Sequence, residues 1–102
     1  MRIDVIGRGV EVTDAIRSHA ESKAGKLPRY FDGVQQITVT LNREDHQTHG
    51  DFGVEVVVDV EHHPDFVSHA KGEDLYGTID AALHKSSRQL TDFKEKLKQG
   101  KR

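Results

Sequence analysis

The sequence contains no cysteine, and it has only two prolines and two tyrosines among 102 residues. Without cysteine the chain cannot form a disulfide scaffold, a thiolate zinc site or a cysteine nucleophile, and it is compatible with a reducing compartment. No apolar run approaches the roughly 20 residues that a membrane helix requires. The start, MRIDVIG, is typical of a strand rather than of a signal peptide. Together these features predict a soluble cytoplasmic protein that does not engage a membrane.

Sequence motifs for catalysis are missing as well. The chain has no Walker loop, no GxGxxG turn and no GxSxG elbow. Seven histidines raise the possibility of a metal site, but His46 and His49 lie in a polar segment and His62, His63 and His69 near a predicted hairpin. Without thiolates or a tight framework of histidine and carboxylate, these spacings do not favour a closed site. We predict neither enzymatic activity, nor a cofactor, nor a small-molecule substrate, and keep a metal-dependent activity as an alternative.

Charge is distributed unevenly along the chain. The formal net charge is −2, yet residues 41–80 carry −8 and residues 81–102 carry +5. Such asymmetry favours a basic surface for an anionic partner. The simpler interpretation is that cations near the end of a helix complement its dipole and are solvated.

The most informative stretch is residues 72–98, which have the pattern of one long amphipathic helix. Apolar or small residues recur at steps of three and four and form one stripe: Leu75, Ile79, Ala82, Leu83, Ser86, Leu90, Phe93 and Leu97. At about 100° per residue, Lys85, Arg88, Asp92 and Lys96 share one flank of that stripe. Lys94 and Lys98 lie on the other flank.

The remaining segments predict one further helix and four strands. A helix begins at the N-cap Thr13 and ends near Leu27, before Pro28. The strands span residues 2–7, 34–42, 52–61 and 66–71, with a polar loop at 43–51 and a hairpin turn at 62–65. The strands alternate apolar and polar residues, so one sheet face is covered. The order β-α-β-β-β-α predicts an α+β fold, a four-stranded mixed sheet with both helices packed on one face, and a single domain over residues 1–102.

Both predicted helices carry basic residues beside their apolar stripes. Lys23 and Lys26 come from the first helix, and Lys85 and Arg88 from the second. Two neighbouring helices can bring such rows together, and lysine and arginine neutralise phosphates in a salt-dependent manner. The charge pattern therefore supports an RNA-binding hypothesis, because structured RNA is recognised largely through its backbone. Tyr30 and Tyr76, near the stripes, are predicted to be core residues.

Several segments carry a resemblance to a known family. They are residues 10–17 (VEVTDAIR), Lys26-Leu27 with Tyr30-Phe31-Asp32, residues 72–76 (GEDLY) with Ile79-Asp80, and the run of Lys85, Arg88-Gln89-Leu90 and 94–98. The chain resembles the ribosome hibernation promoting factor and ribosome-associated inhibitor family, formerly called sigma modulation proteins, in its short form. The resemblance covers nearly the whole chain and fits the predicted order of elements.

The resemblance implies a cytosolic stress or stationary-phase factor. Such a protein binds the small ribosomal subunit in the channel for messenger and transfer RNA and blocks translation. The family's rRNA-contacting basic residues fall on Lys23, Lys26, Lys85 and Arg88, with Lys94, Lys96 and Lys98 as additional contacts. Asp92 stands where the family often has lysine, and it can pair with Arg88 and Lys96, which interrupts the basic strip.

Two further expectations accompany the resemblance. The absence of an extended tail favours the type that promotes inactive ribosome dimers, together with a second hibernation factor. The alternative function is a protein-binding regulator, for instance of a transcription factor, without ribosome contact.

Overall fold

The computed structural model describes residues 1–43 and 52–100. Its elements follow the predicted order: β1 Arg2–Arg8, α1 Asp14–Ala24, a 3₁₀ turn Leu27–Arg29, β2 Val34–Arg43, β3 Phe52–Val60, β4 His63–Gly72 and α2 Leu75–Gly100. The predicted loop at 43–51, with His46 and His49, lies outside the described residues except for Arg43, which ends β2.

The four strands form one mixed sheet in the order β1-β2-β3-β4. β1 pairs in parallel with β2, with Val5 opposite Val39, while β2–β3 and β3–β4 are antiparallel. β1 and β4 therefore run in the same direction, and each is followed by a helix that returns along the sheet. The two helices consequently lie side by side and point the same way. The predicted fold class, β-α-β-β-β-α with two helices on a four-stranded mixed sheet, is confirmed.

The core lies between the sheet and the helices and follows the two sequence periods. Alternate strand residues point into it, and the helical stripe of small and branched residues covers them. The fully buried members include Ile37, Val39, Leu41, Val56 and Val58 from the sheet and Ala20, Ala24, Ile79, Ala82 and Leu90 from the helices. Leu97 of the predicted stripe is 47% exposed, because α2 extends beyond Phe93, whose ring packs against Phe31, His63 and Phe66 at the end of the core.

A buried pair of hydroxyls joins β4 to α2 within that core. The Oγ atoms of Ser68 and Ser86 are 2.8 Å apart, and both lie within hydrogen-bond distance of the Ala82 carbonyl oxygen. Both side chains are at most 5% exposed. Ser86, the small residue in the apolar stripe, thus lets α2 approach β4 closely, and its hydroxyl group is hydrogen-bonded.

The prediction that the first helix continues to Leu27 was wrong. α1 ends at Ala24, and the Gly25 backbone N–H still donates to the Glu21 carbonyl. The chain then tightens into the 3₁₀ turn that contains Pro28. Proline disfavours α-helical geometry at the preceding residue, and Gly25 weakens the last turn. Leu27 is nevertheless buried in the core.

The hairpin between β3 and β4 is shorter than predicted. The prediction of a turn at residues 62–65 was wrong, because the turn is made by Glu61 and His62 and β4 begins at His63. His62 has a positive φ of 62°, a conformation that tight turns require. Pro64 lies within β4, which tolerates a proline because β4 is an edge strand.

The second helix begins three residues later than predicted. Asp74 caps it, since its Oδ2 accepts a hydrogen bond from the Gly77 N–H at 3.3 Å and its carbonyl accepts the Thr78 N–H. Gly72 is the last residue of β4, and a Cβ there would lie 2.6 Å from the Thr78 Oγ1. A side chain at residue 72 would therefore have to displace the Thr78 hydroxyl group, and glycine lets the chain turn closely past it.

Candidate nucleic-acid interface

The line where α1 meets α2 begins with a polar contact between the helices. His19 Nε2 lies 2.8 Å from Asp80 Oδ1, and the His19 ring meets Tyr76 edge to face at 4.9 Å. Asp80 also lies four residues before His84, a spacing that would allow a pair along α2. The pairing with His19 is available because the two helices are adjacent, and it holds them together at this end of the junction.

Beyond that contact, a groove runs along α2, first between α1 and α2 and then between the 3₁₀ turn and α2. Its first part encloses about 360 Å³ and is lined by Lys23, Lys26, Leu27, Tyr30, Asp80, Leu83, His84 and Ser87. Its second part encloses about 230 Å³ and is lined by Arg29, Tyr30, Thr91, Lys94, Glu95 and Lys98. We call the two parts together the interhelical groove. Tyr30 lies at the boundary and lines both.

The interhelical groove is strongly basic. Five lysine or arginine side chains and two carboxylates line it, a formal charge of +3 with histidine neutral. From Asp80 to Lys98 the groove follows 18 residues of α2, which corresponds to about 27 Å at 1.5 Å per residue. A cationic channel of this length suits an extended polyanion better than a single small anion.

Other predicted site residues lie on the opposite side of α2, which we call the outer flank. Lys85 Nζ donates a hydrogen bond to the His69 carbonyl of β4 at 2.7 Å. Lys96 lines a depression of about 480 Å³ with Asp92 and the rings of His63, Phe66 and Phe93. Arg88 is exposed and, at about 100° per residue, projects near the solvent-facing crest of the helix.

The structure thus divides the predicted basic residues into two rows. Lys23, Lys26, Lys94 and Lys98 line the interhelical groove, whereas Lys85 and Lys96 lie on the outer flank with Arg88 between the rows. All seven are exposed. The expected juxtaposition of Lys23 and Lys26 with Lys85 does not occur, because Lys85 reaches toward the edge of the sheet that is remote from α1.

Asp92 interrupts only the outer flank. Among the described residues it forms no ion pair with Arg88 or Lys96, contrary to the pairing that the sequence suggested. It also lies on the other side of α2 from Lys94 and Lys98. The basic character of the interhelical groove is therefore independent of Asp92.

Comparison with known proteins identifies the family. The model of the family described as sigma 54 modulation protein / S30EA ribosomal protein matches residues 3–98. The ribosome hibernation promoting factor of Escherichia coli is 38% identical over 99 residues, covering 97% of this chain and 99% of that protein. The chain belongs to the ribosome hibernation promoting factor family.

Other members of the hibernation promoting factor family differ in length. The ribosome hibernation promotion factor of Bacillus subtilis is 34% identical over 99 residues, and these cover 95% of this chain but only 50% of that protein. The family is non-enzymatic, so the prediction of a protein without catalytic activity is confirmed by membership.

Solved structures of similar proteins have the same fold. The N-terminal domain of Thermus thermophilus Protein Y is 33% identical, with a TM-score of 0.79 over 91% of this chain and 99% of that one. A ribosomal subunit interface protein from Coxiella burnetii is 24% identical, with a TM-score of 0.82 over 93% of this chain and 99% of that one.

Part of the groove of this member of the hibernation promoting factor family was not predicted from the sequence. Tyr30 and Tyr76 were predicted to be core residues, but they are 42% and 40% exposed, so that prediction was wrong. Arg29, His84 and Ser87 were not predicted at all. The sequence did contain one signal for these groove residues. Lys26, Arg29 and Tyr30 cluster around Pro28, and a short turn there exposes side chains on alternate sides of the chain.

The described part of the chain holds neither a metal-binding cluster nor a membrane-spanning helix. Within residues 1–43 and 52–100, no group of three or more histidine, cysteine or acidic side chains could hold a metal ion. In the same ranges, no helix combines the length and the apolar composition needed to cross a bilayer.

Proposed function

We propose that this protein is a cytoplasmic ribosome hibernation factor that binds the small ribosomal subunit in the channel for messenger and transfer RNA. Bound there, it blocks translation by sterically occupying the channel and not by catalysing a reaction. The observation that carries the proposal is the basic interhelical groove in a chain whose relatives are named ribosome hibernation promoting factors. The similarity to the Coxiella protein supports only the fold and not the function.

Phosphate neutralisation supplies the binding energy in this proposal. Lys23, Lys26, Lys94 and Lys98 contact rRNA from the groove, and Lys85, Arg88 and Lys96 contact it from the crest and the outer flank. Each contact releases counterions, so affinity falls steeply as salt rises. The interaction is therefore reversible, as a factor that silences ribosomes temporarily requires.

Charge reversal tests the site. The variant with Lys23→Glu, Lys26→Glu, Lys85→Glu and Arg88→Glu should no longer cosediment with small subunits in sucrose gradients. All four side chains are exposed, so circular dichroism should show the parental fold, and thermal stability should fall only by the loss of the Lys85–His69 hydrogen bond. Undiminished cosedimentation would reject the site.

Two matched double variants separate the rows. Lys23→Glu with Lys26→Glu alters the groove, and Arg88→Glu with Lys96→Glu alters the crest and outer flank by the same change of charge. We expect both to weaken binding, the groove pair by more than about tenfold and the other pair by less. Equal losses would mean that only net charge matters.

The position on the subunit has its own test. If the protein occupies the decoding channel, it should compete with transfer RNA for small subunits and inhibit translation in a cell-free system. Simultaneous binding of both would contradict the channel mechanism. The same gradients, run with and without a second hibernation factor, also report on ribosome dimers. A peak that sediments faster than single ribosomes would show that the protein promotes them.

The alternative, a protein-binding regulator, makes the opposite prediction. A partner retained after nuclease treatment, without a ribosome peak, would favour it over the ribosomal function.

A further inference from the structure

Tyr30 is an exposed aromatic residue in a domain with few large rings. The chain has only two tyrosines and no tryptophan, so few large rings are available for the core. Yet the Tyr30 side chain remains 42% exposed, while the four phenylalanines are all partly buried. Burial of a tyrosine ring is normally favourable, and its exposure here leaves a ring surface available for a ligand.

The surroundings of Tyr30 are cationic on both sides. It lines the first part of the interhelical groove with Lys23 and Lys26, and the second part with Lys94 and Lys98. The side chain therefore stands where the two parts of this basic groove meet. Proteins that bind single-stranded nucleic acid combine these two features, a positive groove that follows the phosphates and an aromatic ring on which a base stacks.

The backbone that carries this ring is held in a defined position. Tyr30 terminates the 3₁₀ turn of Leu27–Arg29, and its N–H donates to the Leu27 carbonyl at 2.9 Å. Pro28 restricts the same turn, and the buried Leu27 anchors it to the core. A ring carried on an anchored turn costs little additional backbone freedom when a base stacks on it.

We propose that Tyr30 is a base-stacking residue and that the interhelical groove holds a single-stranded segment of RNA. Phosphates on one side of the stacked base contact Lys23 and Lys26, and those on the other side contact Arg29, Lys94 and Lys98. A paired base has both faces covered by its neighbours, so the groove selects an unpaired nucleotide. This inference rests on the proposed function and specifies the form of RNA that the same surface takes.

Tyrosine fluorescence gives a direct readout. In a Tyr76→Phe variant, Tyr30 is the sole tyrosine, and the phenylalanine retains the ring beside His19. Titration with a single-stranded RNA dodecamer should quench its emission. The matched probes are an abasic ribose-phosphate oligomer of the same length and inorganic polyphosphate, which should bind at low salt with much weaker quenching. Equal quenching by all three, or no binding of the dodecamer, would overturn the proposal.

Substitutions separate stacking from packing. Tyr30→Leu keeps an apolar side chain on the turn but removes the ring, and it should weaken dodecamer binding by about 5- to 150-fold. Tyr30→Phe should restore binding to near the parent level. The slope of log affinity against log salt should stay unchanged in Tyr30→Leu, because no phosphate contact is lost, whereas Lys26→Gln should reduce it by about 0.7.

The same variants distinguish this inference from the broader one. If the parent protein sediments with small subunits and Tyr30→Leu does so with equal affinity, the stacking role is rejected and the ribosomal function stands. If the parent protein does not sediment with small subunits, the proposed function itself fails. A folded Tyr30→Leu that has lost affinity while Tyr30→Phe retains it supports stacking.

Discussion

The Lys85 ammonium group and the His69 backbone carbonyl are joined by a hydrogen bond of 2.7 Å between Nζ and O. One turn further along α2, Gln89 Nε2 donates to the Val67 carbonyl at 3.0 Å. β4 is an edge strand, so in the sheet that the structure describes these carbonyl groups have no partner strand on that side. Two side chains of α2 thereby cover the edge of the sheet, and at the opposite edge Arg17 Nη1 reaches the Val5 carbonyl at 3.4 Å.

Removing the covering groups should expose the β4 edge. We expect Lys85→Met with Gln89→Met to lower the free energy of unfolding by about 1–3 kcal/mol, at roughly 0.5–1.5 kcal/mol per hydrogen bond. The variant should also self-associate, because a free strand edge is a template for pairing. Thermal unfolding and light scattering measure the two effects. The control is Arg88→Met, at an exposed residue of the same helix. A monomeric double variant of parental stability would contradict the expectation.

The close approach of Gly72 to Thr78 makes a second prediction. Gly72→Ala should destabilise the fold by about 1–3 kcal/mol, because the new methyl group would lie 2.6 Å from the buried Thr78 hydroxyl oxygen. Thr78→Ala removes that atom, and the next nearest, the Thr78 Cβ, is at 3.9 Å. Urea unfolding of both single variants and the double variant should show that Gly72→Ala costs much less in the Thr78→Ala background. Additive losses would mean that the contact is relieved in another way.

The contact between His19 and Asp80 should couple the two helices. A double-mutant cycle with His19→Ala and Asp80→Ala is expected to give a coupling free energy of about 0.2–1 kcal/mol, because both side chains are partly solvated. The cycle of Asp80→Ala with His84→Ala is the matched control and should give none. Chemical unfolding provides all the values. Coupling of Asp80 to His84 instead would support the pairing along α2.

Salt should affect the groove variants and the parent protein differently. Binding of the parent to small subunits should weaken steeply between about 50 and 200 mM salt, as it does for proteins that make several phosphate contacts. Lys94→Gln with Lys98→Gln should lower the slope of log affinity against log salt by more than about one. Asp92→Asn changes only the outer flank, so it should leave the contribution of the groove to this slope unchanged. A slope near zero for the parent protein would contradict binding through phosphates.

Much of the fold was predictable because local patterns determine it. The alternation of valines in β3 and the stripe from Leu75 to Leu90 in α2 each specify one buried face, and a β-α-β-β-β-α order has few ways to bury all of them. The element ends were less predictable. The end of α1 at Ala24 and the turn at Glu61 and His62 depend on small energy differences at Gly25, Pro28 and Pro64, where neighbouring elements decide the outcome.

The sequence by itself determined which side chains are basic, which helix faces are apolar and which family the chain resembles, since these follow from residue identity and helical period. Only the tertiary structure decided how the cations are grouped. Placing α1 beside α2 brings Lys23 and Lys26 into one groove with Lys94 and Lys98, and turns Lys85 toward β4. It also leaves Tyr30 exposed between two basic depressions, because contacts between elements distant in sequence are set by packing and not by local periodicity.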